Sequence, residues 1–181
     1  MAKAFASQGD TTEKAIRFEE IGRDLWAFTA EGDPNSGVII GDNSVMVVEA
    51  QATPHLAEKV IARVRSVTDK PISHLVLTHY HAVRVLGASA YGAVEIIMSD
   101  VARSMVVERG REDWASEFQR FPRLFEGHER IPGLTYPSTT FSERMTIYLG
   151  KRRVDIRHIR AGAYSRGRCR LSARRECHVH R

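Results

Sequence analysis

Apolar and polar positions alternate along this chain in a way that predicts strands interleaved with helices. "DLWAFTA" (24–30) and "GVIIGDNSVMVVEA" (37–50) read as antiparallel strands, with Gly41-Asp42-Asn43-Ser44 supplying the turn chemistry. Thr53-Pro54 opens a helix as N-cap and first helical residue, and Leu56, Val60, Ile61 and Val64 fall on one of its faces. The strand "HLVLTH" follows, then a short Gly- and Ala-rich helix around 87–92 and the strand "VEIIMS" (94–99). Ser99 or Asp100 caps a longer helix running through Met105, Val106 and Trp114 to about Phe118. "RMTIYLGKRRVDIRHI" reads as a hairpin, because Met145, Ile147 and Leu149 alternate, as do Val154, Ile156 and His158. This is an α/β layout.

The most chemical-looking stretch is "HLVLTHYHAVRVLGA", in which a buried strand delivers His79 and His81 at its end. Side chains on a strand alternate, so two imidazoles two residues apart can point the same way. That is half of a metal site, since zinc takes about three or four protein ligands.

Composition narrows the class. A chain of 181 residues, 43% apolar and 27% charged, is of the size and make-up of one globular domain with its own core. No stretch approaches the roughly 20 apolar residues of a membrane span. The N-terminal "MAKAFASQGDTTEKAIRF" lacks the continuous apolar core of a secretory signal, so a cytoplasmic protein with no membrane partner is expected. The charge is unevenly placed. Of 27 basic and 22 acidic residues, seven arginines (160, 166, 168, 170, 174, 175, 181) and only Glu176 lie beyond Ile159. Residues 1–159 therefore carry a net charge of −1, against +5 for the whole. Both cysteines, Cys169 and Cys177, also lie in this tail. Three segments follow: residues 1–17 as a flexible lead, 18–159 as the domain body, and 160–181 as a basic tail with little apolar periodicity, expected to be disordered.

Taken together, the hairpin strands, "SVMVVEAQAT", the helix after it and "ISHLVLTHYHAVRVLGA" resemble the N-terminal half of a metallo-β-lactamase-fold hydrolase, over roughly residues 18 to 159. The resemblance implies an αββα sandwich, partial here, that grips one or two metals, usually zinc, between its sheets. Its main motif is His-x-His-x-Asp-His, the first two histidines holding metal one and the Asp and last His metal two. Mapped onto this chain, His79 and His81 are the metal-one pair, but Val83 stands for the Asp and Arg84 for the last His. Valine cannot ligate, and a guanidinium has no lone pair to give. One zinc at most is expected, in an incomplete site.

Each candidate has an everyday alternative. Glu49 ends an apolar strand where the family often has an acid near the metal; a carboxylate capping the strand end fits equally. Arg84 is either a solvated or ion-paired loop residue or a cation attracting an anionic substrate. His55, His74, His128 and His158 lack ligand spacing and read as surface or packing groups, and Trp26, Trp114 and the Phe118–Phe125 region read as packing aromatics.

The resemblance also implies a later His in a Gly-His-Thr-x-Gly-Asp loop and an Asp closing a subsequent strand, and neither appears after Ile159. Cys169, Cys177, His178 and His180 offer ligand atoms, but no apolar pattern to hold them against His79 and His81. "RAGAYSRGR" (160–168) can, however, be encoded so that skipping one base yields Gly-Arg-Gly-His-Thr-Arg-Gly-Asp. Continued through the tail, the shifted frame reads Ala-Val-Val-Cys-Pro-Pro-Glu-Glu-Asn-Val-Met-Phe-Thr-Gly. One extra base after the Ile159 codon would account for the missing loop and for the arginine excess together.

The sequence therefore points to a metal-activated hydrolase of a small-molecule ester, thioester, amide or phosphoester, inactive in this form. The alternative is a non-catalytic member of the fold that binds a ligand or partner without metal. A nucleic-acid arm made by the tail, with Tyr164 as its lone aromatic, is set aside because it leaves the shifted frame unexplained. With part of the second sheet missing, the apolar faces of "GVIIGDNSVMVVEA" and "MTIYLGKRRVDIRHI" are expected to be partly uncovered.

Overall fold

A computed structural model describes residues 9–159 and the strand at 168–175. Seven strands form the first sheet in strict chain order: β1 (Arg17–Gly22), β2 (Leu25–Thr29), β3 (Ser36–Ile40), β4 (Val45–Val48), β5 (Ile72–Val76), β6 (Glu95–Ser99) and β7 (Thr139–Phe141). Pairing is antiparallel from β1 to β4 and parallel from β4 to β7. The switch occurs where helices enter as crossovers, as parallel neighbours require. Helix α1 (Pro54–Arg65) joins β4 to β5, and α2 (Ala82–Val85) with a following turn of 3₁₀ helix (Leu86–Tyr91) joins β5 to β6. Helix α3 (Asp100–Arg120) leads towards β7.

The capping chemistry is as the sequence reads. Thr53 caps α1 by accepting the Leu56 N–H at 3.2 Å, and Ser99 caps α3 by accepting that of Ala102 at 3.2 Å. Val60 and Val64 are buried; Leu56 and Ile61 are only partly so, and Ala57 takes their place at the centre of the buried face. The strand β1, which the sequence reading did not anticipate, pairs with β2 and stacks Phe18 on Trp26 at 4.9 Å. Its pattern is mostly exposed, so periodicity alone gives it no signal.

The second sheet holds β8 (Arg144–Leu149), β9 (Arg152–Ile159) and β10 (Arg168–Arg175), in the order β10-β9-β8. Two cores result. The larger lies between the first sheet and its helices, around Val47, Leu75, Leu77, Leu86 and Phe125. The smaller lies between the sheets, where Ile39, Met46, Val76 and Ile97 meet Leu149, Val154 and Ile156.

Two expectations are corrected here. The inner faces of β3, β4, β8 and β9 are more fully covered than expected: Met145 and Ile147 stay only partly buried, but Ile39, Met46, Leu149, Val154 and Ile156 are all buried. Three strands suffice to cover them, because β8 and β9 turn their alternating apolar positions onto the first sheet and Leu171 and Ala173 of β10 pack at the margin. Nor is the whole tail unstructured. Residues 168–175 pair antiparallel with β9 along its full length, from Arg168 opposite Ile159 to Arg175 opposite Arg152. An open strand edge offers a ladder of unpaired backbone groups, and Leu171-Ser172-Ala173 has the alternation to dock on it. Residues 1–8, 160–167 and 176–181 of the expected lead and tail lie outside the described residues, among them Cys177, His178 and His180.

Candidate functional site

The site is the segment from the end of β5 to the start of α2. β5 stops at Val76, so His79 and His81 sit beyond the strand, and strand alternation is not what aligns them. Leu77 still donates to Ile97 O (2.9 Å) and Thr78 donates its N–H to Glu49 Oε1 (2.9 Å), which fixes the turn. The two rings meet edge to face, centroids 4.8 Å apart.

Each imidazole has a carboxylate at its Nδ1 side. His79 Nδ1 lies 2.8 Å from Thr78 Oγ1 and 3.9 Å from Glu49 Oε1. His81 Nδ1 lies 3.9 Å from Glu117 Oε1. Glu49 is 5% exposed and sits at φ +69°, in the left-handed region that a side chain with a Cβ rarely occupies, and Gln51 does so too at +68°. Burial pushes the Glu49 carboxyl up to about 7, against the lowering effect of Thr78 and of the nearby Arg84 charge. Its Oε2 is buried without a hydrogen-bond partner among the described residues. Glu49 is therefore both a strand-end carboxylate and a neighbour of the histidines.

Asp113 and Glu117 are functional neighbours that the sequence reading missed. Asp113 Oδ2 accepts the Ala82 N–H at 2.7 Å and Glu117 Oε2 accepts that of Val83 at 2.9 Å. They stand four apart on α3, so both reach the same side, and that spacing was the only signal available. Burial, with Asp113 beside it, raises the Glu117 carboxyl above the usual range.

Val83 is buried in the larger core. Arg84 lies in α2 rather than in a loop; its carbonyl accepts the Ala50 N–H at 2.7 Å. The other histidines behave as packing or surface groups. His55 is 3.6 Å from Glu126, His74 is 2.7 Å from Ser73 Oγ, and His128 meets the Phe118 ring edge to face. A cavity of about 490 Å³ lies elsewhere, bounded by Ile16, Phe28, Gln51, Leu56, Arg123 and Leu124 and not by the histidine pair.

The donor set does not suit a resident zinc. Among the described residues, no group of three or more His, Cys, Asp and Glu side chains could hold a metal ion. Each nearby carboxylate already gives one oxygen to a backbone N–H: Glu49 to that of Thr78, and Asp113 and Glu117 to the first N–H groups of α2.

No protein-family model and no curated protein matches this sequence. Solved structures do match its fold. A metallo-beta-lactamase from Pontibacter korlensis superposes with a TM-score of 0.63 at 12% identity, covering 87% of this chain and 66% of the other. The native FEZ-1 metallo-beta-lactamase from Legionella gormanii gives 0.64 at 12%, covering 87% and 58%. A double mutant of the sec-alkyl sulfatase PisA1 gives 0.61 at 17%, covering 86% of this chain but 29% of that one. The chain has the metallo-β-lactamase fold, and it spans less than two thirds of the length of each of these proteins. Among the described residues no helix is long and apolar enough to cross a membrane.

Proposed function

We propose that this chain carries the scaffold of a metal-dependent hydrolase whose ligand set is completed only in the shifted reading frame, so that the protein as translated does not hydrolyse. His79 and His81 are the retained pair. The remaining ligands are encoded one base out of step beyond Ile159, and the parent substrate is a small ester, thioester, amide or phosphoester.

One observation carries this reading. β9 ends at Ile159 and β10 begins at Arg168, so the connection between them is the eight-residue stretch 160–167. The shifted frame puts Gly-Arg-Gly-His-Thr-Arg-Gly-Asp on those eight positions and begins its apolar run, Ala-Val-Val-Cys, where β10 starts. A ligand loop followed by a strand is what that span needs. The test is to sequence codons 155 to 168 and delete one base after the Ile159 codon. The longer product should bind about one zinc per chain and hydrolyse chromogenic esters or phosphoesters only with metal present. Codons that do not spell the Gly-His-Thr-Arg-Gly-Asp loop, or an early stop in the shifted frame, would sink the proposal.

A second reading is favoured by a different observation. Val83 is packed into the core and the carboxylates of α3 are spent on α2, which is how a fold member that binds a ligand or partner without metal would stabilise this loop. A frame-restored product that stays metal-free and inactive would support it.

A further inference from the structure

The outer face of the second sheet carries a cluster of arginines. On β8 and β9 the inward positions Met145, Ile147, Leu149, Val154 and Ile156 pack between the sheets. Their alternates, Arg144, Thr146, Tyr148, Arg153, Asp155 and Arg157, therefore share the outer face. The register sets Arg144 directly opposite Arg157, Thr146 opposite Asp155 and Tyr148 opposite Arg153. Asp155, the only acid among these six positions, already accepts from Thr146 Oγ1 (2.8 Å) and Arg153 Nε (3.0 Å).

The Arg144–Arg157 pair is the telling feature. Directly opposed residues of an antiparallel pair are near neighbours, and like charges there destabilise the sheet. The position facing Arg157 on its other side is Arg170, so the backbone register continues the row of arginines on to β10. Arg144 and Arg157 also wall two adjoining hollows of about 300 and 380 Å³. Adjacent guanidiniums that cost stability in the free protein are repaid when a phosphate bridges them, because each offers forked donors matched to its oxygens.

We infer that this face binds single-stranded nucleic acid, with Arg144 and Arg157 on the phosphate backbone and Tyr148 as a stacking surface. Three features select that occupant over other anions. Tyr148 is 55% exposed on the same face, four residues along β8 from Arg144 and opposite Arg153, and a base can stack on its ring. The open sheet face suits a strand laid across it. Its other exposed apolar residue is Ile159, which is too little to enter a lipid surface. A net charge of −1 for residues 1–159 conceals this face, where Arg144, Arg153 and Arg157 outnumber the local acids Glu143 and Asp155. Arg144, Tyr148 and Arg157, the three residues the binding is assigned to, all precede the tail.

Fluorescence anisotropy of a labelled oligothymidylate of about 16 nucleotides, titrated over a range of salt, tests it. The wild-type chain should bind, with affinity falling linearly on a log–log plot against salt. Arg144→Ala/Arg157→Ala should weaken binding at least tenfold at low salt and reduce the slope by about 1.4, two phosphate contacts at about 0.7 each. Arg144→Lys/Arg157→Lys, which keeps both charges but not the forked donors, should keep the salt slope and weaken binding less than the alanine pair, and so separates charge from misfolding. Tyr148→Ala should weaken binding roughly tenfold with the slope unchanged. Three results would each overturn the inference: no binding at low salt; binding indifferent to the Arg144 and Arg157 variants but lost with Arg160→Ala/Arg166→Ala; or equal displacement of the oligonucleotide by polyglutamate or by phosphatidylserine vesicles.

Discussion

His81 and Glu117 face each other across the junction of α2 and α3, with imidazole Nδ1 3.9 Å from carboxylate Oε1. The other oxygen of the same carboxylate holds the Val83 N–H. One side chain of α3 thus clamps the backbone of α2 and stands beside the second histidine. A four-residue helix has too few internal hydrogen bonds to hold itself, so its entry angle depends on such outside partners.

Glu117→Ala should therefore cost roughly 1–3 kcal/mol of stability, since a buried N–H loses its acceptor. Asp113→Ala should cost less, because Asp113 is more open to water, which can replace it. Urea denaturation of the two variants checks this. Unchanged midpoints would mean that α2 is held by packing alone.

The pH dependence of stability should carry the mark of Glu49. Its folded carboxyl titrates at about 7, above the unfolded value of 4.5, so its contribution is fully present below 4.5 and is lost as pH rises through about 7. Glu117, raised in the same direction, adds to the trend. Stability at about pH 5 should exceed that at about pH 8 by up to roughly 3 kcal/mol from Glu49. Glu49→Gln should flatten much of this slope. A wild-type profile that rises over that interval would contradict the burial argument.

Zinc should bind weakly to the chain as translated, because two histidines leave the ion short of its usual ligands. Isothermal titration should show no submicromolar site. Stoichiometric tight binding that disappears in a His79→Ala/His81→Ala variant would mean that other groups complete the set.

Gly87→Ala should destabilise the fold. A Cβ there would overlap the Ala50 carbonyl oxygen and lie 2.7 Å from that of Thr53. The Gly87 N–H also donates to Gln51 O at 3.0 Å, so the 3₁₀ turn cannot simply back away. A cost of about 1–3 kcal/mol is expected from such overpacking, read as a lowered thermal midpoint.

Much of the first sheet and its helices was legible in the sequence. Thr53-Pro54, Ser99 and the Gly41–Ser44 turn are local signals whose physics is complete within a few residues. The edge strand β1 was not legible, because a strand with water on most of its side chains has no apolar rhythm to display. β10 was hidden differently. Its docking depends on the free edge of β9, a feature of the fold rather than of its own sequence. At the site, His79, His81 and Glu49 were visible, and the structure brings them together. Asp113 and Glu117 were not, since what marks them is a tertiary contact to residues more than thirty positions earlier.

Both sheets are ordered as the chain is ordered, each strand lying beside its predecessor. A ribosome releasing this protein would meet no pairing that must wait for a distant segment: β1 can find β2, and β4 can find β5, as soon as each emerges. The longest interval between partners, from β6 to β7, is filled largely by α3, which shortens the gap to be closed. Such an order keeps sequence separations between paired strands short and favours rapid, stepwise assembly during synthesis. By the time the ribosome passes the Ile159 codon, nine of the ten described strands have been made. Whatever reading frame the remaining codons follow, it acts on a nascent chain in which β1 to β6 already lie 60 or more residues behind the point of synthesis.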